Sequence, residues 1–224
     1  MKVYLSEHIA PSAYERLAKS FEIVDNFDHP EELAAIIVRR ACVTRQIIEK
    51  ASNLKVISMH GVTRDTIDME AAEEHHIPVP NVPGQSSQSV AELAAAFILA
   101  LSRQLKMVGI GLCEGRFDHF GDTRFVTREI FGKTLGLVGT GNVARHLADI
   151  MSGGFHMKLL CYNPHRTREE CARMGFEQID SLEELFAKSD YVNLSTSLTE
   201  ETENMINAKV FAAANPGLIL VNTS

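Results

Sequence analysis

The chain has 224 residues, 45% hydrophobic and 23% charged, which is enough to bury a core in one large domain or two small ones. Its net charge of -7, without a block of Lys and Arg, argues against nucleic acid or an anionic membrane as a partner. Four widely spaced cysteines argue against a disulfide framework or a zinc site, so we predict no metal and a reducing cytoplasmic location.

The first half alternates short apolar runs with helical patterns, as parallel α/β proteins do. Met1 leads directly into the first run, without the basic and apolar regions of a signal peptide. Strands are predicted at 3–5, 21–24, 36–38, 54–58 and, as a short edge-like strand containing a proline, 77–79. Helices are predicted after Pro11, from near Pro30, through Ala51 with Thr44 as N-cap, and over 69–75 with Asp68 as N-cap.

The composition changes at residues 81–88, a polar loop that leads into a helix at 90–101 that is apolar almost all round. The apolar run is too short to cross a bilayer, so we expect this helix between domains or subunits and predict a homodimer. Glycines at 109, 111, 115 and 121 predict a linker within 103–131. The predicted domains are therefore 1–102 and 103–224.

A second α/β rhythm begins with the sequence KTLGLVGTGNVA at 133–144, which predicts a buried strand, a glycine turn and the start of a helix. Gly139 permits the turn, and Gly141 has no side chain to hold a pyrophosphate away from the backbone. The free N–H groups of the next helix would face the phosphates. Such a turn also occurs without a ligand, and that interpretation stays open.

The remaining elements continue this rhythm to the last residue. Strands are predicted at 158–162, 191–194 and 218–221. A helix at 168–174 is expected to stop at Gly175, and a capping box beginning at Ser181 opens another helix. The last strand is expected to form an exposed apolar edge, which favours pairing with another chain.

Five landmarks in this order resemble the D-isomer-specific 2-hydroxyacid dehydrogenases, the family of phosphoglycerate dehydrogenase and glyoxylate/hydroxypyruvate reductase. The landmarks are 54–57 with 61–68, 81–84, 89–92, the glycine turn, and 221–224, so the resemblance covers essentially the whole chain. It implies a flavodoxin-like substrate domain followed by a Rossmann domain, a doubly wound parallel sheet, that is incomplete at its C-terminus. It also implies hydride transfer between nicotinamide and C2 of a small 2-hydroxy or 2-keto acid.

The resemblance also assigns binding residues. For the cofactor it implies Val82, Gly139, Gly141, Asn142, Val143, Thr196 and Thr223. For the substrate it implies the backbone N–H groups of Val62 and Thr63 at the carboxylate, with His60 and Ser86 nearby. Without the resemblance, Thr196 and Thr223 would be interpreted as ordinary polar residues at strand ends.

The residues that follow Tyr162 bear on the choice of cofactor. An acidic residue is expected there to bind the adenosine ribose hydroxyls and repel a 2′-phosphate, but the sequence has Asn163, His165 and Arg166. We therefore expect NADP or NAD, with NADP at least tolerated. In the alternative interpretation, Arg166 and Arg168 are solvated residues at the start of a helix.

The family's catalytic Arg follows the Asn-Thr-x segment at once, and its Glu and His come later. The sequence ends at Ser224, so we expect none of these three residues in the chain, a truncated protein and impaired activity. His60 is the remaining candidate for general acid/base catalysis, although a single histidine more often packs or hydrogen-bonds.

Three departures from the family pattern concern the substrate: Met59 where a basic residue is usual in phosphoglycerate-type members, Thr63 for a glycine, and Ser86 for an asparagine. They disfavour phosphoglycerate and favour glyoxylate, pyruvate or hydroxypyruvate. Two alternatives stay open: a non-catalytic dinucleotide-binding regulatory or interaction module, and an inert fragment.

Overall fold

The structure is a computed structural model that describes residues 1–116 and 127–224, so Gly121 of the predicted linker lies outside the described residues. Its contacts divide the chain into two compact units, Met1–Gln85 and Ser86–Ser224. Among the described residues, no single helix is long and apolar enough to cross a membrane. One pair of helices bent by 60°, Ser87–Ser102 and Leu105–Cys113, reaches the required length and composition together.

The first unit is a four-stranded parallel sheet with the strand order β2-β1-β3-β4, the beginning of a flavodoxin-like sheet. Its strands are β1 (Lys2–Leu5), β2 (Glu22–Val24), β3 (Leu33–Val38) and β4 (Val56–Met59). Its helices are α1 (Pro11–Ala18), α2 (Arg45–Lys50) and α3 (Met69–Glu74). The apolar side chains of β3 and β4 pack against α2 and α3 to form one core.

Two predictions for this unit were wrong. The helix expected from Pro30 is a single 3-10 turn, Pro30–Glu32, because the mostly buried run of β3 begins at Leu33. The expected strand at 77–79 does not form, although Pro78 and Pro80 accept hydrogen bonds from the N–H groups of Ile57 and Met59 at 3.1 and 2.8 Å. Neither proline has an N–H to return, so only one side of a ladder is made.

The second unit is a five-stranded parallel sheet with the order β7-β6-β5-β8-β9, the order of a dinucleotide-binding domain. Its strands are β5 (Thr134–Val138), β6 (Lys158–Tyr162), β7 (Glu177–Gln178), β8 (Tyr191–Leu194) and β9 (Ile219–Asn222). Its helices are α4 (Ser87–Ser102), α5 (Leu105–Cys113), α6 (Asn142–Phe155), α7 (Arg168–Arg173), α8 (Leu182–Lys188) and α9 (Ala208–Ala212). The predicted edge strand is β9, at one end of the described sheet.

Helix α4 belongs to the second unit by its packing. It buries Ala91, Ala94 and Ile98 in the same core as α6 and β5. Compactness therefore divides the chain after Gln85, while the boundary after residue 102 stays a prediction about domains. Part of the predicted linker is the helix α5, which forms although it contains two glycines that cost about 1 kcal/mol each.

Hydrogen bonds at the helix starts decide several of the predicted caps. Asp68 caps α3 by accepting from the N–H of Ala71 at 2.8 Å, as predicted. Thr44 is the N-cap residue of α2 but makes no side-chain hydrogen bond there, so the side-chain cap predicted for it was wrong. Ser181 caps α8 by accepting from the N–H of Glu184, but the Glu184 carboxylate pairs with Lys188 at 2.6 Å, so only half of the predicted capping box forms. A complete capping box begins α7 instead.

Candidate functional site

The turn after β5 requires glycine at its first position. Gly139 has a φ of 92°, and a Cβ there would lie 2.8 Å from the carbonyl oxygen of Ser195, at the end of the neighbouring β8. Gly141 has an ordinary φ of -72°, and a Cβ there would meet nothing within 4 Å. Gly139 therefore serves the close approach of two chain segments, whereas the space in front of Gly141 is open to a ligand.

The open space lies at the start of α6, a helix of 14 residues. Gly141 is its N-cap and no side chain caps it, so its first backbone N–H groups, including those of Asn142 and Val143, are free to bind an anion. Ala144 and Leu147 are fully buried against the sheet and fix the direction of the helix. This geometry fits a pyrophosphate.

A cavity of about 280 Å³ opens at the carboxyl ends of β5, β6 and β8, beside this turn. It brings together five predicted cofactor residues: Gly139, Gly141, Asn163, His165 and Thr196. The strand order reverses between β5 and β8, and such a reversal is where open α/β sheets bind ligands. The site therefore has the position and lining of a dinucleotide site.

Hydrogen bonds hold the loop between β6 and α7 in place. The Asn163 amide donates to the hydroxyl of Thr140 at 2.7 Å, and its oxygen accepts from the N–H of His165 at 3.0 Å. The Gln178 amide donates to the carbonyl oxygens of Asn163 and Arg166 at 2.8 and 2.9 Å. Hydrogen bonds within the protein therefore hold this loop.

The two arginines of this loop have different surroundings. Arg168 pairs with Asp180 and donates to the carbonyl oxygen of Gln178, so its role in the structure is to join α7 to the segment after β7. Arg166 is exposed and, within the described parts of the chain, its guanidinium has no partner. It does not line the cavity but follows His165, which does.

Sequence reasoning missed an acidic group at the cavity. Glu201 lines it and lies 3.5 Å from the imidazole Nε2 of His165, with both side chains exposed. Ser195, Thr202 and Met205 also line it and were not predicted. The end of β8 beside the glycine turn could have indicated Ser195, but no pattern pairs His165 with a glutamate 36 residues away.

The two predicted threonines occupy different places. Thr196 lines the cavity, and its backbone N–H donates to the hydroxyl of Ser224 at 3.3 Å. Thr223 lies outside the cavity lining: its hydroxyl accepts from the Asn193 amide at 3.2 Å and donates to the carbonyl oxygen of Leu194 at 3.3 Å. These bonds suit a strand-end residue, so contact between Thr223 and a cofactor stays a prediction.

The predicted substrate residues of the first unit follow β4. The N–H of His60 donates to Val38, and the carbonyl oxygen of Gly61 accepts from Val82 at 3.0 Å. In the described chain, no acceptor faces the backbone N–H groups of Val62 and Thr63, so both are available to a carboxylate. The exposed His60 ring has no partner among these residues, and no carboxylate orients it.

Ser86 belongs to the second unit, where it is the exposed N-cap of α4 without a side-chain hydrogen bond. A cluster of potential metal ligands, His29, Glu31 and Glu32, lies exposed in the first unit, where Glu32 already pairs with Lys2. Exposed acidic groups of this kind commonly hold no ion. These features add nothing to the dinucleotide site.

The strand reversal of the first unit lies between β1 and β3, and a carboxylate occupies it. Glu7 accepts from the backbone N–H groups of Arg39 and Arg40 at 3.1 and 3.0 Å. Burial alone would raise the pKa of Glu7, but these bonds and one from the Ser6 hydroxyl outweigh it and lower the pKa below its usual value. A cleft of about 1070 Å³ adjoins this carboxylate.

Comparisons with known proteins agree with this geometry. Residues 95–224 match the family model described as "D-isomer specific 2-hydroxyacid dehydrogenase, NAD binding domain". The chain is 34% identical to a hydroxypyruvate reductase of Thermotoga maritima, with 100% of this chain and 74% of that protein covered. It spans only 34% to 43% of the length of the D-3-phosphoglycerate dehydrogenases of Methanocaldococcus jannaschii and Mycobacterium bovis.

Two solved structures of similar fold hold bound cofactors. The D-lactate dehydrogenase of Aquifex aeolicus, complexed with NAD and lactic acid, has a TM-score of 0.81 and 28% identity, covering 100% of this chain and 69% of its own. An acyclic imino acid reductase in complex with NADPH and D-Arg has a TM-score of 0.82 and 26% identity, covering 99% and 74%. Similar folds therefore bind both nicotinamide dinucleotides.

Proposed function

The chain belongs to the D-isomer specific 2-hydroxyacid dehydrogenase family, and from that premise we propose that it transfers hydride between a nicotinamide dinucleotide and C2 of a small 2-hydroxy or 2-keto acid. Members of the family are oxidoreductases that act on CH–OH groups. The bound cofactor supplies or accepts the hydride. The comparisons do not favour the alternative of a non-catalytic dinucleotide-binding module.

The glycine turn with its cavity is the observation that carries this proposal. Gly139 allows the chain to pass close to Ser195, and Gly141 leaves the start of α6 open to a pyrophosphate. Nicotinamide fluorescence during titration with NADH and NADPH tests it, followed by addition of glyoxylate, pyruvate and hydroxypyruvate. We expect saturable binding; no binding of either dinucleotide would contradict the proposal.

The preference for NADPH is a finer proposal, supported by the loop after β6. No carboxylate stands directly after Tyr162, and Arg166, whose guanidinium has no partner among the described residues, follows the cavity residue His165. Arg166→Ala should weaken NADPH about three- to tenfold and leave NADH nearly unchanged. Arg173→Ala, at an exposed arginine of α7 outside the cavity lining, is the control, and equal losses for both dinucleotides would contradict a role for Arg166 at the 2′-phosphate.

We propose a small substrate without a phosphate group. Met59 is buried in the core of the first unit and presents no charge to a ligand, which supports this choice. The chain should reduce glyoxylate, pyruvate or hydroxypyruvate faster than it oxidises 3-phosphoglycerate. A strong preference for the phosphorylated acid would contradict it.

We also propose a homodimer in the cytoplasm, without a nucleic-acid or membrane partner. Leu93, Phe97 and Leu101 are exposed at four-residue spacing on α4, so they share one face, and exposed apolar side chains continue along α5. A second copy would cover this surface. Light scattering should give a dimer at micromolar concentration and a monomer for Phe97→Asp; a monomeric unaltered chain would contradict the proposal.

A further inference from the structure

Arg64 is a partly buried cation without a counter-ion in the first unit. Its Nη2 donates to the side-chain oxygen of Asn81 at 3.0 Å, while its Nε is buried and has no partner among the described residues. No described carboxylate lies within ion-pair distance of it. A buried donor without a partner costs about 1–3 kcal/mol, so the buried Nε of Arg64 calls for an explanation.

The contact between Arg64 and Asn81 fixes the orientation of an amide. Because the Asn81 oxygen accepts from Arg64, its nitrogen faces the opposite way and donates to the carbonyl oxygen of Val62 at 2.7 Å. The N–H of Val82 also donates to the carbonyl oxygen of Gly61 at 3.0 Å. Two consecutive carbonyl groups of this loop are therefore held by the segment 81–82.

The N–H groups of the same loop remain free. Those of Val62 and Thr63 have no acceptor in the described chain, and both residues are exposed. Holding the carbonyl oxygen of Val62 fixes the peptide between Val62 and Thr63 and so sets the direction of the Thr63 N–H.

We propose that Arg64 is a positioning residue for the substrate carboxylate. Acting through Asn81, it holds the Val62–Thr63 peptide with the Thr63 N–H directed at the carboxylate. The inference rests on the proposed function, because the carboxylate at this loop belongs to the proposed 2-keto acid.

Oxamate, an unreactive analogue of a 2-keto acid, is the probe. Backbone amide signals of the 15N-labelled chain report where it binds, and its dissociation constant follows from the titration with and without NADPH. In the unaltered chain, oxamate should move the amide proton signals of Val62 and Thr63 downfield. Arg64→Met should weaken oxamate about tenfold and reduce these shifts, while NADPH affinity stays within twofold.

Two further variants separate positioning from general stability. Arg64→Lys keeps the charge and one donor and should restore part of the affinity. Asn81→Asp keeps the contact with Arg64 but cannot donate to the carbonyl oxygen of Val62, so it should weaken oxamate although Arg64 is present. Arg16→Met, an exposed arginine on α1, is the control and should bind oxamate as the unaltered chain does.

The inference is overturned if Arg64→Met and Asn81→Asp both bind oxamate as tightly as the unaltered chain does. The proposed function would still stand if NADPH bound. An unaltered chain in which oxamate leaves the Val62 and Thr63 amides unmoved would overturn it as well. Failure to bind either dinucleotide counts against the proposed function alone, because oxamate shifts measured without cofactor still decide the role of Arg64.

Discussion

Both units are built on a parallel sheet whose strand order reverses once. They differ at that reversal, which holds a cavity in the second unit and a carboxylate in the first. In each, the order of parallel strands reverses beside the first strand of the unit, between β1 and β3 and between β5 and β8. In the second unit a glycine follows β5, and a cavity of about 280 Å³ opens beside it. In the first unit, Glu7 follows β1 within two residues and binds the N–H groups after β3.

This difference teaches that the fold supplies the ligand position and that individual residues decide whether it is available. Backbone N–H groups at the ends of parallel strands attract an anion in both units. Glu7 provides that anion from within the chain, although the adjoining cleft is larger than the cavity of the second unit. At the corresponding place of the second unit, Gly139 and Gly141 put no side chain into the cavity.

Gly139→Ala should have the largest effect. It tests whether glycine is required at the strand reversal of the second unit, between β5 and β8. The new Cβ would lie 2.8 Å from the Ser195 carbonyl oxygen at a φ of 92°, so β5 and β8 must separate or the turn must change. We expect loss of NADPH binding by at least about a hundredfold and a stability loss of about 1–3 kcal/mol, measured by fluorescence titration and urea unfolding.

Gly141→Ala is the matched variant, because its Cβ would meet no protein atom within 4 Å. It should weaken NADPH about tenfold or more by blocking the pyrophosphate, with stability unchanged within about 0.5 kcal/mol. If Gly139→Ala bound NADPH like the unaltered chain, the glycine requirement would be refuted.

Gly136→Ala should come next and concerns the strand that leads into the site. A Cβ at Gly136 would lie 2.5 Å from the Ser189 hydroxyl and 3.1 Å from Leu185, both packed against β5. We expect a loss of about 1–3 kcal/mol in unfolding free energy from overpacking. The first unit should keep its own amide spectrum, and a spectrum altered throughout the chain would mean that the two units do not respond separately.

Much of the fold and part of the site followed from the sequence, for identifiable reasons. The glycine turn was predictable because strand, turn and helix N-terminus lie within twelve consecutive residues. The run 77–79 has the apolar residues of a strand, but Pro78 within it and Pro80 after it cannot donate the hydrogen bonds that a ladder needs. Glu201 and Arg64 acquire their roles through residues distant in the chain, which one sequence does not pair.

Glu7→Gln tests the closed reversal of the first unit and should have a moderate effect. Hydrogen bonds lower the pKa of Glu7 in the folded chain, so the ionised form stabilises the fold above the unfolded pKa, and this contribution disappears as pH falls through the folded pKa. At pH 7 the variant should melt ~2–4 °C lower than the unaltered chain. The difference should vanish in acid, below the folded pKa.

Glu7→Ala extends this test by vacating the anion position. Sulfate should then stabilise the variant more than the unaltered chain, because the N–H groups of Arg39 and Arg40 become available. NADPH affinity should not change. If sulfate stabilised the variant and the unaltered chain equally, Glu7 would not occupy an anion position, and the first unit would have no counterpart of the phosphate position proposed beside β5.

Glu201→Gln should have the smallest effect. It tests whether a carboxylate in the cavity of the second unit weakens the binding of a phosphate. Glu201 lines the cavity beside His165, where its negative charge opposes a phosphate. Because both side chains are largely exposed, the variant should bind NADPH only about two- to fivefold more tightly, with less gain for NADH. The gain should shrink at high salt. Glu200→Gln, outside the cavity lining, is the control, and an equal gain there would assign the effect to net charge instead of to the position of Glu201.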